Sequence, residues 1–423
     1  MPSADVYTSP SVGPTRLVTA QFVIVMTAAA LYFTHYGATQ AAIPRLVEEE
    51  LGGGELQIGY TLVAFSVAAI ATRLVMSRFA AADRLRGLMT AGAMLAAVST
   101  LVLLIEDRLV AVLFVRAVHG VSLALFFVAA ATLVADLAPE SRRAESASYF
   151  SVAIFGGLGT GPFLAERVIG DDSFDAGFVL VAVFSAAATV ICLLLPKRLG
   201  EQASGSPAAA PTYVMRTAVW PGVVLAFGMI GVATFVAFLP AQARDVGLAD
   251  AGLVFVTYSG VCLFVRLAAA RLPERFGLER AASVSLIGSA LAFLLLAAVQ
   301  KPIGLFGGAA LVAIGVSFLY PSLMAITINR VHPDKRLAAV STLTLFFDVG
   351  SAVGGLTLGA VAQSTSKAAG FGVASLCSVA GLALLWLRVA ERQSTTAPDD
   401  SRPQLAGDQL ADIKINPTKG IKP

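Results

Sequence analysis

Apolar segments of about 20 residues recur along the whole chain, and this recurrence constrains the fold more than any other feature. A helix of that length crosses the roughly 30 Å hydrocarbon core of a bilayer. The chain is 57% hydrophobic and only 13% charged, whereas soluble domains carry about 25% charged residues. The first segment, starting near Leu17, is too long for a secretory signal and is not followed by a small-residue cleavage site. The sequence therefore predicts an all-α polytopic membrane protein that retains its first span.

Twelve transmembrane spans are predicted, and they divide into two groups of six. The predicted spans are 17–43, 57–79, 86–105, 109–136, 144–168, 177–195, 217–240, 250–272, 281–299, 302–329, 337–363 and 369–390. A segment rich in Ala, Pro, Ser and Gly joins the groups at 196–216 and is typical of a flexible linker. We expect an N-terminal six-helix half at 17–195 and a C-terminal six-helix half at 217–390, with a polar tail at 1–16 and a disordered polar tail at 391–423.

The distribution of Lys and Arg indicates how the spans are oriented. If the N-terminus is placed in the cytoplasm, most basic loop residues fall on the cytoplasmic side, and the outer loops contain the acidic stretches VEEELGGGE and ERVIGDDSFD. By the positive-inside rule, both termini are predicted to be cytoplasmic in a multi-pass protein of the cell (plasma or inner) membrane. Because the net charge of +3 arises from these loops, the expected partner is the lipid bilayer and not a nucleic acid.

The two halves of the chain repeat each other. AFSVAAIATRLVMSRF at 64–79 aligns with TYSGVCLFVRLAAARL at 257–272 at an offset of 193, which places Arg73 at the position of Arg266. FGGLGTGP at 155–162 then aligns with VGSAVGGL at 349–356 at an offset of 194. Parallel repeats of six helices are typical of transporters that hold a cavity between the halves near the bilayer midplane.

Two loop motifs carry a resemblance to the major facilitator superfamily, over essentially all of residues 17–390. RLAAARLPERFGLER in the second half is a good copy of the superfamily's Gly-x-Leu-x-Asp-Arg-x-Gly-Arg motif, whereas RLVMSRFAAADRLRG in the first half is degraded. There a serine stands at the motif's first glycine, and the Asp-Arg pair lies two places late. The resemblance implies that these residues latch the inner gate. The gating candidates are Arg73, Ser77, Asp83, Arg84, Arg266, Glu274, Arg275 and Gly277.

Two further patterns lie in the fourth and fifth spans. Arg116-x-x-His119-Gly120 is similar to the fourth-helix Arg-x-x-x-Gly pattern of the superfamily, and the glycine ladder ending in Gly-Pro partly matches a fifth-helix pattern of proton-driven exporters. Together they resemble the drug, sugar and metallophore efflux subgroups, which are proton antiporters. Small residues spaced four apart also permit close helix packing. The packing and hinge candidates are Gly157, Gly161, Pro162, Gly350 and Gly354.

Charged side chains within predicted spans are the candidates for substrate or proton binding, because each costs about 2.5–3.5 kcal/mol on insertion scales. Asp348 lies near the middle of span 11, Arg116 and His119 share one face of span 4, and His35 lies toward the outer third of span 1. A proton antiporter requires at least one group, such as a carboxylate, that can exchange a proton for the substrate. We expect Asp348 and His119 to titrate during transport, with Arg116 tuning one of them or holding an anionic group. The alternative is that Arg116 caps backbone carbonyls and His119 is a packing residue.

The sequence thus predicts proton-coupled export of a small organic molecule, such as a drug-like compound, natural product or metallophore, by a monomer that alternates access. A proton-coupled uptake symporter, a non-transporting membrane sensor and an integral-membrane enzyme are the alternatives. Three scattered histidines and the lack of HExxH or a suitably placed GxSxG motif argue against the enzyme. Cys192, Cys262 and Cys377 lie in apolar spans without ligand spacing, so neither a metal nor a cofactor is predicted.

Overall fold

The computed structural model describes residues 17–76, 84–106, 108–139, 142–169, 174–196, 215–269, 275–331 and 336–390. Within these residues the chain forms twelve α-helices and no β-strand. The predicted tails at 1–16 and 391–423, nearly all of the linker at 196–216, and the gating candidates Ser77, Asp83 and Glu274 lie outside the described residues.

The helices follow the apolar segments of the sequence. They are α1 (Ala20–Glu49), α2 (Glu55–Met76), α3 (Leu85–Leu101), α4 (Leu109–Asp136), α5 (Arg143–Ile169), α6 (Phe174–Leu193), α7 (Arg216–Asp245), α8 (Gly252–Ala268), α9 (Leu278–Ala298), α10 (Pro302–Asn329), α11 (Arg336–Ser364) and α12 (Lys367–Leu384). A 3₁₀ turn extends α3 to Leu104, and a π-helical turn extends α12 to Ala390. Eleven of these helices are long and apolar enough to cross a membrane, and α8 is a shorter apolar helix of 17 residues. The predicted all-α polytopic fold is confirmed.

The first helix continues past the end predicted for it at residue 43. It passes through Pro44 and ends at Glu49. Arg45, which is 7% exposed, lies 2.8 Å from a carboxylate oxygen of Glu49 and 3.2 Å from one of Glu166 on α5. The two carboxylates neutralise the guanidinium of Arg45, so this charge can be buried. It lies in the helix one position after Pro44, a residue type that normally ends helices.

Corresponding helix pairs pack in the same way in the two halves. In the first half α1 packs on α5, and in the second half α7 packs on α11. Gly157 and Gly161 lie so close to the backbone of α1 that a Cβ atom would collide with it, and Gly350 and Gly354 lie equally close to the backbone of α7. Pro162 lies inside α5, which continues to Ile169. The structure therefore places the predicted packing residues at these two contacts, and their role as hinges stays a prediction.

The two halves meet mainly along two helix pairs, α2 with α11 and α5 with α8, and α7 also contacts α1 and α2. A Cβ atom on Gly59 of α2 would collide with the carbonyl oxygen of Gly355 on α11, and one on Gly159 of α5 would lie 2.9 Å from Cβ of Ser259 on α8. The molecule has two ends. The distal end is the one at which α1 and α7 end, and the terminal end is the opposite one, at which α1 begins. In the predicted topology the distal end faces outward.

Candidate functional site

A buried ion pair joins α2 of the first half to α11 of the second half. Nε of Arg73 lies 2.9 Å from Oδ2 of Asp348, and the two side chains are 9% and 4% exposed. Arg73 lies in the last turn of α2, whereas Asp348 lies near the middle of α11. The sequence had singled out the two residues for separate roles, in gating and in proton binding. Because the loss of one partner leaves the other charge buried at a cost of about 3–5 kcal/mol, this contact depends on both residues being ionised.

Arg116 of α4 is a second buried cation, and its donors are incompletely satisfied. The residue is 2% exposed, and its Nη2 donates a hydrogen bond to Oε1 of Gln40 at 3.1 Å. Its Cζ lies 4.7 Å from the centroid of the Phe65 ring, a cation–π contact. Nε and Nη1 have no hydrogen-bond partner within the described ranges. Among the described residues, no carboxylate forms an ion pair with this guanidinium.

Tyr36 of α1 lies beside the aromatic ring that Arg116 contacts. Its ring centroid is 5.8 Å from that of Phe65. The five residues Tyr36, Phe65, Arg73, Arg116 and Asp348 form what we call the central cluster. Four of its members come from the first half, and Asp348 is the member supplied by the second half.

His35 and His119 lie inside the first half. Nδ1 of His35 donates to the carbonyl oxygen of Val181 on α6 at 3.0 Å. Thr100 gives its hydroxyl hydrogen to the carbonyl of Ala96, so Nε2 of His119 must be the donor in its 3.0 Å contact with Oγ1 of Thr100. The two imidazole centroids are 5.2 Å apart, and Nδ1 of His119 has no partner. The structure therefore places both histidines among the helices of the first half and not at its contact with the second.

Most of the remaining gating candidates lie at the terminal end. Arg84 precedes α3 and Arg275 precedes α9, and both side chains are exposed. Gly277 has a φ of 95°, which favours glycine, and it caps the start of α9. Arg266 differs from these because it lies at the contact between the halves. Its Cζ is 4.7 Å from the centroid of the Phe155 ring on α5, and its Nε is buried without a hydrogen-bond partner.

Ion pairs also join the halves at the distal end. Nη2 of Arg244, at the end of α7, lies 2.6 Å from Glu48, and its Nη1 lies 3.1 Å from Glu49.

A second set of pairs at the distal end is formed by Lys367. Its Nζ lies 3.8 Å from a carboxylate oxygen of Glu55 on α2, and also contacts Asp245. These side chains are 15–54% exposed, so each pair stabilises the contact by at most about 1 kcal/mol. The distal contact is therefore closed by several weak pairs.

The sequence profile of the Major Facilitator Superfamily matches residues 25–241 and, again, residues 219–417. The two matches together extend over most of the chain. This chain belongs to the Major Facilitator Superfamily. The family predicted from the loop motifs is confirmed, and it is a family of transporters and not of enzymes.

Related proteins agree with this assignment. An MFS-type transporter of Pseudomonas aeruginosa is 32% identical over 163 residues, which make up 38% of this chain and 40% of that protein. An MFS-type transporter of Salmonella typhimurium is 24% identical over 375 residues, or 85% of this chain and 94% of that protein. The crystal structure of the nucleoside transporter NupG has the same fold, with a TM-score of 0.69, 14% identity, and coverage of 87% of this chain and 99% of NupG.

In this superfamily member, the central cluster is the chemically distinctive part of the contact between the halves. It combines a carboxylate that can take up a proton with arginines that cannot readily lose one. Among the described residues, no group of His, Cys, Asp and Glu could hold a metal ion. The sequence interpretation missed Gln40 and the pairing partners Glu48 and Glu49. The acidic residues at the end of α1 and the arginine at the end of α7 were the available signal for the distal pairs, because opposite charges at the outer ends of two halves are suited to pair.

Proposed function

We propose that this superfamily member is a proton-coupled secondary transporter that exports a small organic molecule by alternating access. The observation that carries the proposal is the buried ion pair of Arg73 with Asp348, which crosses from one half to the other. A transporter couples to protons when protonation of one group changes the contact between its halves. Asp348 is suited to this role because its carboxylate is both titratable and part of that contact.

Protonation is expected to release the contact. While Asp348 is ionised, its carboxylate attracts the guanidinium of Arg73 and holds α2 against α11. When Asp348 takes up a proton, the attraction is lost and Arg73 becomes a buried cation without a counter-charge, which favours separation of the two helices. Substrate and proton then bind in alternation, as an antiporter requires.

The distal ion pairs act as the second gate in this proposal. Several partly exposed pairs hold the distal ends together, and each is weak enough to break during a transport cycle. With both termini in the cytoplasm, the structure then represents a conformation closed to the outside. Opening to the outside would break the contacts of Arg244 and Lys367. We further propose that a single chain in the cell membrane performs the cycle.

The chemical class of the transported molecule is proposed only in broad terms. One solved relative is named a nucleoside transporter, and another is named a peptide transporter, so small organic molecules are the class to test first. The partial glycine pattern of α5 favours export. Uptake by proton symport would use the same ion pair, and the direction of flux relative to the pH gradient distinguishes the two.

The test uses the full-length chain in proteoliposomes that contain a pH-sensitive dye and carry an imposed pH gradient. Ethidium, salicylate, uridine and dialanine are offered as probes. We expect at least one probe to dissipate the gradient in the presence of wild-type protein and not with Asp348→Asn. Glu145→Gln is the matched control, because Glu145 forms an exposed ion pair with Arg142 that does not join the halves. Flux that is independent of the gradient would refute proton coupling.

A further inference from the structure

Arg266 is the repeat-related counterpart of Arg73, yet no carboxylate among the described residues pairs with it. Arg73 and Arg266 align at an offset of 193, and the offset of 194 between α5 and α11 aligns Asp348 with Ile154. Arg73 forms its ion pair with Asp348. Arg266 faces α5, where the repeat has the apolar Ile154 at the position of that aspartate. Within the part of the chain that the structure describes, the two halves therefore provide the same cation, but a counter-charge is seen only for Arg73.

The surroundings of Arg266 do not replace the missing acid. Its titratable neighbours among the described residues are Cys262, Tyr258 and Tyr320, which are neutral side chains at physiological pH. Its guanidinium lies over the ring of Phe155, a contact worth about 0.5–2 kcal/mol. Its Nε is nevertheless buried without a hydrogen-bond partner. Buried donors of charged groups are usually satisfied, so this donor is available to a ligand.

The charges at the contact between the halves do not balance. Arg73 and Asp348 neutralise each other, but Arg116 and Arg266 have no acidic partner among the described residues. Arg116 lies in a membrane-spanning helix, and Arg266 lies half-buried in the last turn of the shorter apolar helix α8. An uncompensated cation is costly at either place, because neither is fully hydrated. A bound anion would relieve that cost, whereas a cationic ligand would increase it.

We propose that the transported molecule is an aromatic organic acid whose carboxylate binds Arg266. This inference rests on the proposed transport function. The planar guanidinium is suited to bind a carboxylate through paired hydrogen bonds. The aromatic body of the ligand would pack beside Phe155 and Tyr258, which are supplied by α5 and α8 of different halves. The same ligand would thus contact both halves at once, as a substrate that controls their separation must.

The experiment measures equilibrium binding of radiolabelled salicylate and indole-3-acetate to the full-length chain in nanodiscs, without a pH gradient. The neutral amides salicylamide and indole-3-acetamide are the competitors. We expect at least one acid to bind about tenfold or more tightly than its amide, and Arg266→Gln to weaken its binding by about 10–100-fold, the effect of losing a hydrogen bond to a charged group. Arg266→Lys keeps the charge and should retain part of the affinity, which also shows that the site is folded.

Arg388→Gln is the matched control. Arg388 also lies over an aromatic ring, that of Trp220 at 4.9 Å, but its side chain is exposed and both residues belong to the second half. We expect this variant to bind the acids like the wild type. Equal binding of acid and amide, equal affinity of the Arg266→Gln and Arg388→Gln variants, or no binding of either acid would overturn the proposal.

The outcome separates this inference from the proposed proton coupling. The carboxylate of the ligand is proposed to bind Arg266, so Asp348→Asn is expected to retain the preference for the acid in this equilibrium measurement. If Arg266→Gln binds normally while Asp348→Asn loses its pH dependence of transport, only the assignment of the substrate fails. If Arg266→Gln loses the acid while Asp348→Asn still transports with the wild-type pH dependence, only the proton-coupling proposal fails.

Discussion

Arg73 and Asp348 lie 275 positions apart in the chain, yet Nε of Arg73 is 2.9 Å from Oδ2 of Asp348 in a contact that is almost completely buried. The arginine belongs to the first repeat and the aspartate to the second. The contact therefore depends on how the two halves are arranged, and on the ionisation of one carboxylate. This dependence connects the fold to the proposed transport cycle.

Separate and combined replacement of the pair tests whether the two residues act together. Arg73→Gln leaves the carboxylate of Asp348 buried without its counter-charge, so the thermal unfolding midpoint should fall. Combining it with Asp348→Asn removes both charges and should restore part of the loss, with a coupling energy of about 0.5–3 kcal/mol. Unfolding of the purified variants in micelles measures this. Additive effects of the two substitutions would show that the residues are not coupled.

Substitution of glycines in α5 tests the packing of α5 on α1. Gly161→Ala places a Cβ against the backbone of Thr34 and Ala38 and should destabilise the protein by about 1–3 kcal/mol. Gly156→Ala is the control on the same helix, because nothing lies within 4 Å of the added Cβ. It should be neutral or raise stability by up to about 1 kcal/mol through helix propensity. Equal losses in the two variants would argue against a close contact at Gly161.

Most of the helical architecture could be predicted from the sequence, because long apolar segments have few alternatives in a bilayer. The end of α1 could not be located in this way. Pro44 and the charges after it are typical of a loop, but in the structure the helix continues to Glu49. There Arg45 pairs with Glu166 on another helix, a contact that a single sequence does not reveal. Likewise, Arg73 and Asp348 were recognised as unusual residues, but a single sequence does not reveal that they are partners.

The histidines provide a comparison for the proposed proton site. His119 is a buried titratable residue, but its contacts are with Thr100 and His35 inside the first half. Its protonation does not act directly on the contact between the halves, so we expect His119→Gln to keep the wild-type pH dependence of transport. Flux measured over a pH series in proteoliposomes checks this. Loss of pH dependence in this variant, with Asp348 intact, would transfer the coupling role to His119.

Crosslinking at the distal end tests the second gate. With the native cysteines replaced, Glu48→Cys combined with Arg244→Cys places thiols on the two halves where these residues pair. A short bis-maleimide should hold the distal end closed and stop transport. The control is Arg142→Cys with Glu145→Cys, whose residues are three positions apart in the first half. Continued transport after complete crosslinking at the distal end would contradict a gate there.

The pH dependence of transport by Asp348→Asn decides whether the carboxylate of Asp348 couples transport to the proton. Lowering the pH protonates the carboxylate of Asp348 in the wild type and removes its attraction to Arg73, so flux should change with pH. The asparagine variant is neutral at every pH and cannot form that ion pair. We predict that gradient-driven flux is lost in this variant and that any remaining flux is independent of pH, whereas the Glu145→Gln control follows the wild-type profile. An unchanged pH profile in Asp348→Asn would contradict the account.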